Sequence, residues 1–363
     1  MGFFQKFYYG KAGQADFNPE DLPKNRRELF FAMLRIRFSG ICGQNLISVL
    51  FKLPIICVLG YALMFILSLG QAMQEDATLI ESFSRDWFSL AVMMLAILVP
   101  CHVISGIGTT GTRYILRNWA RDQHAFGFSD IKDSIKTNWK QGALFGLLTG
   151  IIDLVCFVGW YFYRNQASLS ASPVSAILMT VLEGFMIIFP IVWWMIGMAA
   201  YPMMITYNMK LRVVIRNCLI LIIGKLPLSV GIWLLTMVPT ILCAVLFLLL
   251  GSGWPLLAWV LIYLVCGFGL TGFLYASYSN YLFDQYLNPR IEGAPVNMGL
   301  RSDEFNDDDA DDDVSDFNPQ PGYRPTPAPN GNEAWPPRRD DSWLDAAAER
   351  NLPTEEEKKS EDK

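Results

Sequence analysis

The sequence predicts an all-α membrane protein with about six transmembrane helices, cytoplasmic amphipathic helices and a disordered C-terminal tail. Three observations carry that fold class. First, hydrophobic residues make up 52% of the 363 positions and charged residues only 17%, against about 25% charged in an ordinary soluble domain. Second, the charge divides unevenly. From Arg301 onward 19 acids face 8 bases, a net of −11, and residues 1–300 keep 15 acids and 21 bases, a net of +6, which returns the overall −5. Third, long stretches carry no charge at all. None lies between Asp86 and Arg113, and 58 consecutive residues between Lys225 and Asp284 lack one. As one helix that last run would measure about 87 Å, against a hydrocarbon core of about 30 Å. It must fold back, and Gly251-Ser252-Gly253 followed by Trp254-Pro255 supplies the break. A soluble enzyme with a conventional core is not expected.

The elements follow in chain order. Residues 1–44 form a cytoplasmic amphipathic segment, with Asn25 and Glu28 at capping-box spacing ahead of a helix over 25–38. No cleavable signal precedes the first apolar run near Leu46, so the first span serves as its own insertion signal. Six spans are expected at about 46–69, 87–107, 143–163, 176–202, 227–250 and 254–280, within a membrane domain of residues 45–285. Between the second and third, residues 129–140 repeat Ile131, Ile135 and Trp139 every four positions. Lys132, Lys136 and Lys140 take other faces, and Ser129 and Asp130 suit the helix start. Arg and Lys beside Trp and Phe fit an anionic headgroup surface or the flank of the bundle. Residues 286–363 form an acidic, proline-rich tail, too polar to offset the entropy of ordering. One apolar island within it, Trp343 and Leu344, is a candidate docking site.

Loop charge fixes the orientation. Seventeen Lys and Arg flank one side of the spans and two, Arg85 and Arg164, the other. The positive-inside rule therefore puts both termini of this multi-pass cell-membrane protein in the cytoplasm.

No catalytic constellation is present. His102 and His124 are the two histidines, and seven cysteines occur without a C-x-x-C pair, as small apolar packing residues would. Gly106-Ile107-Gly108-Thr109-Thr110-Gly111 matches a dinucleotide fingerprint literally. A span of full helical length precedes it instead of a βαβ unit, so close helix packing is the better account. No enzyme activity, metal or other cofactor, or nucleic-acid partner is expected. The expected partners are the bilayer and a membrane or cytoplasmic protein. Arg117, Trp119, Arg121, Trp139 and Lys140 are candidates for lipid or partner contact.

Three ionisable groups fall inside spans. Lys52 lies near a cytoplasmic edge, where its stem allows it to snorkel outward. Asp153 and Glu183 lie deeper, about 15 and 11 Å from the loop that joins their spans, and form a candidate polar pocket. Lys52-Leu53-Pro54 and Lys225-Leu226-Pro227 recur at what look like equivalent span mouths.

Residues 40–285 resemble the YesL family of bacterial integral membrane proteins. The resemblance rests on Tyr114-Ile115-Leu116-Arg117-Asn118-Trp119-Ala120-Arg121, Phe128, Asn138-Trp139-Lys140-Gln141, Tyr201-Pro202 and Leu211 through Asn217. It implies a short multispan protein of undefined activity, associated in some members with carbohydrate uptake, and no catalytic residues. Two functions are expected from these observations: an accessory or regulatory membrane protein, or a small secondary transporter using Asp153 and Glu183.

Overall fold

The computed structural model describes residues 23–75, 78–170, 172–291 and 294–300. All elements among them are helical. They are α1 (Arg26–Glu75), α2 (Thr78–Trp119), α3 (Phe128–Leu169), α4 (Pro173–Thr206), α5 (Leu211–Gly224), α6 (Leu226–Leu250) and α7 (Trp254–Ile262). A π-helical turn, Tyr263–Gly267, then leads into α8 (Phe268–Tyr286), and a 3-10 turn, Asn288–Arg290, follows. Six stretches are long and apolar enough to cross a membrane: α1, α2 from Asp86, α3, α4, α6 and Trp254–Arg290. The chain is a multi-pass membrane protein.

The expected amphipathic helices exist, but as extensions of the spans and not as separate surface helices. At 50 residues, α1 is about 75 Å long, far more than a bilayer requires. Its start is capped by the expected pair: Asn25 Oδ1 accepts from the Glu28 amide at 3.0 Å, while Glu28 reaches back to the Lys24 amide at 2.9 Å, one residue before the position a capping box predicts. The start of α3 differs from expectation. Ser129 is not the cap; Gly127 takes that position, and Asp130 accepts from the Phe126 amide at 2.7 Å.

Close approach of α2 and α3 explains the glycines of the false fingerprint. A Cβ on Gly106 would overlap the Gly142 carbonyl oxygen, and one on Gly146 would overlap that of His102. The whole motif is helical, so no phosphate-binding turn exists there. The α6–α7 hairpin turns where predicted. Gly251 adopts φ 57° and its amide donates to the Phe247 carbonyl, with Pro255 in the next first turn.

Buried residues concentrate at one end, the basic half, which carries Arg26, Arg121, Lys132 and Lys210. One cluster joins Leu29, Ile41, Ile115, Leu116, Ile131 and Phe273; another joins Phe145, Trp193, Met198, Met203, Val214 and Phe283. An Arg26–Asp284 ion pair ties α1 to α8. The opposite end, the far half, holds the α3–α4 and α6–α7 turns and is mostly exposed apolar surface, as lipid-facing helices require.

The tail begins later than expected. Residues 294–300 pack back on the basic half: Arg26 donates to the Met298 carbonyl at 3.0 Å, and Leu300 packs against the buried cluster that includes Leu29. Trp343 and Leu344 lie outside the described residues, as do residues 1–22.

Candidate functional site

The basic residues singled out as surface contacts divide into two groups. Arg117, Trp119 and Arg121 are interior, with Arg117 1% exposed and Arg121 2%. Arg117 donates to Asn118 Oδ1 at 2.6 Å and to Thr206 Oγ1 at 3.0 Å, binding α2 to the end of α4. Arg121 Nε donates to Asn280 Oδ1 at 2.9 Å, binding α2 to α8. These arginines are staples, not lipid or partner contacts. Guanidinium donors fan out in a plane, so one side chain satisfies several acceptors at the point where three helices converge. Asn138 is buried, and Gln141 donates to the Met209 carbonyl at 2.8 Å, so much of this basic, aromatic stretch forms the frame. Trp139 and Lys140 do face outward, Trp139 at 46% exposure, with the ammonium 5.7 Å from the indole. Phe126, Phe128, Lys132 and Lys136 continue that exposed strip.

The two acids do not share a pocket. Asp153 accepts from Trp194 Nε1 at 3.1 Å and faces His102 Nε2 at 3.7 Å. Glu183 instead meets Arg164 at 3.4 Å, next to the α3–α4 turn. Asp153 and Arg164 are eleven positions apart on α3, about 16 Å along the axis, so the acids sit at different levels. The expected depths were too similar because α3 continues past Tyr163 to Leu169, which displaces the turn. The glycines beside the two acids differ as well: at Gly150 α2 comes close through Val99, whereas a Cβ on Gly184 would meet nothing within 4 Å among the described residues.

A polar centre that the sequence pattern concealed lies between α1, α2 and α8. Lys52 turns inward: its Nζ donates to Ser105 Oγ at 2.9 Å and Thr109 Oγ1 at 3.4 Å, and stands 5.7 Å from the Phe268 ring centroid. One turn further along α2, Arg113 lies 5.3 Å from the ring centroid of Tyr275 and close enough to Tyr201 to act on it electrostatically. Its Nη1 is buried without a hydrogen-bond partner among the described residues. Tyr275 in turn shares a 2.8 Å hydrogen bond with Thr236 of α6. The available signal was the serine–threonine spacing on α2. Ser105, Thr109 and Arg113 recur every four residues, placing two hydroxyls and a guanidinium on one face. Lys52 also breaks the apparent equivalence with Lys225. Lys52 is mid-helix in α1, while Lys225 precedes α6, where a Tyr286 hydrogen bond holds its amine above the ordinary lysine value.

Beside this centre, Asn45 repairs the π turn. Its Nδ2 donates to the Tyr263 and Leu264 carbonyls at 3.1 and 2.6 Å, and its Oδ1 accepts from the Gly269 amide at 2.9 Å. Widening to a π turn frees carbonyls that a buried site must satisfy. All seven cysteines are free thiols, and burial pushes the Cys218 thiol up from its ordinary value. Among the described residues no group of three His, Cys, Asp or Glu side chains is placed to hold a metal ion. No family model, curated protein or solved structure matches this chain.

Proposed function

We propose that the chain is a non-enzymatic accessory or regulatory membrane protein that docks a membrane-protein or cytoplasmic partner through its basic half. The exposed strip of Phe126, Phe128, Lys132, Lys136, Trp139 and Lys140 carries this reading. Its neighbours Arg117 and Arg121 are engaged in the interior, so the strip is presented by a stapled frame. Aromatic residues and long cations together favour contact with an acidic protein or membrane surface. The seventeen-to-two charge asymmetry supports a cytoplasmic position for this half and for both termini. A link to carbohydrate uptake comes from the resemblance to YesL proteins alone.

Affinity purification from native membranes tests the reading. The wild-type chain should bring down a partner that Trp139→Ala with Lys140→Glu loses, while insertion persists. Unchanged recovery would overturn it. Orientation has its own test. A cysteine introduced at Gln166 should react with an impermeant label outside intact cells, and one at Thr137 should not.

Transport remains the second reading, favoured by the polar centre around Lys52 and Arg113. It no longer rests on a paired Asp153–Glu183 site. Solute flux by the purified chain alone in liposomes would decide for it.

A further inference from the structure

Lys52 and Arg113 place two cations inside the bundle, and neither forms an ion pair among the described residues. Nearby acids are committed elsewhere: Asp153 to Trp194 and His102, Asp284 to Arg26 and Asn288. An ammonium has three donors and a guanidinium five. Lys52 uses two on Ser105 and Thr109, and the two N–H donors of Arg113 Nη1 have no described acceptor. Tyr201 lies close enough to Arg113 to interact with it electrostatically. Arg113 follows Thr109 by four residues, about 6 Å along α2, so it stands one turn from the Lys52 contact on Thr109. Burying charge without a counter-charge is costly, which makes an anionic ligand the missing component.

We propose that Lys52 and Arg113 hold a phosphate-type oxyanion within the bundle, flanked by Ser105, Thr109, Tyr201 and Tyr275. Three unused cationic donors, one on Lys52 and two on Arg113 Nη1, suit the three or four oxygens of a phosphate group better than the two of a carboxylate. A lipid headgroup and free phosphate present the same chemistry. Gly272 makes room for the guanidinium, since a Cβ there would overlap Arg113 Nη1. This site is separate from the Trp139 strip and stands whether or not a partner docks there.

The test uses the purified full-length chain. Inorganic phosphate is titrated in detergent at constant ionic strength, and nanodiscs of phosphatidylcholine are compared with and without phosphatidylglycerol. One source should raise Tm: phosphate if the ligand is a solute, phosphatidylglycerol if it is a headgroup. Lys52→Gln and Arg113→Gln should each weaken that binding by about tenfold or more, and Lys52→Arg should retain it. No stabilisation by either source, or undiminished binding in both glutamine variants, would overturn the proposal. Wild-type hydrogen exchange keeps the test decisive if a variant fails to fold. The anion should slow exchange over residues 105–113 and 268–275. Protection confined to residues 126–140 would place it on the exposed strip and also overturn the proposal.

Discussion

Between Pro173 and Val192, α4 buries none of its residues, yet from Trp193 to Thr206 it buries eleven. The same contrast divides the whole bundle. α6 crosses most of the far half with only Ser229 and Thr236 buried, while α8 buries Phe273, Ala276, Leu282 and Phe283 in the basic half. Lipid is as apolar as leucine, so helices in the bilayer gain nothing from hiding apolar side chains from it. They associate where backbones come close or polar groups meet. The basic half has both: glycine contacts between α2 and α3, and staples from Arg26, Arg117, Arg121 and Asn45. Conformational specificity is therefore built at the basic half, and the far half is left to the membrane.

The largest expected effect comes from Arg117→Ala. It removes a buried guanidinium from Thr206, Asn118 and the Ile205 carbonyl and should cost about 3–5 kcal/mol. A melting series in detergent checks this. Leu249→Ala, at an exposed far-half position, should stay within about 0.5 kcal/mol in the same series. Equal losses would erase the contrast.

Next in size are two glycine substitutions that should differ in sign. Gly146→Ala forces a Cβ onto the His102 carbonyl and should destabilise by about 1–3 kcal/mol. Gly184→Ala meets nothing within 4 Å and should be neutral, or stabilising by up to about 1 kcal/mol. Asn45→Ala should cost a comparable 1–3 kcal/mol, roughly, by orphaning the π-turn carbonyls. Faster exchange at Gly267 and Gly269 would localise that loss.

Smaller effects are expected from the acids. Asp153→Asn with Glu183→Gln should lower stability by about 1 kcal/mol or less, and partner recovery should persist, because each acid touches its own local partner. Abolished proton-coupled flux with folding preserved would instead restore a transport role for them. Truncation after Leu300 should change the melting temperature least. Arg26 keeps the Met298 carbonyl, and the cluster around Leu29 keeps Leu300. Unfolding on truncation would give the removed residues a structural role.

Much of the helical framework follows from local properties. The absence of charge over 58 residues, with Gly251 and Pro255 in their middle, dictates a hairpin whatever surrounds it. Asn25 and Glu28 cap a helix through contacts within four residues. Gly106 and Gly142 mark close packing because only hydrogen fits between touching backbones. The hairpin and the cap are decided over short distances along the chain, and the glycine spacing marks where neighbouring helices can touch. The roles of the charged side chains are not decided so locally. Arg117, Arg121, Trp139 and Lys140 occupy similar basic, aromatic sequence surroundings, yet two arginines staple the interior while the Trp139–Lys140 pair faces outward. Lys52 turns inward because Ser105 and Thr109 stand 53 and 57 residues away in sequence and only one hydrogen bond away in space. Asp153 and Glu183 part company because the register of α3 on α4 gives each a different neighbour. A charge is stabilised by whatever acceptors reach it through space, and only the tertiary packing of α1, α2, α4 and α8 determined which ones did.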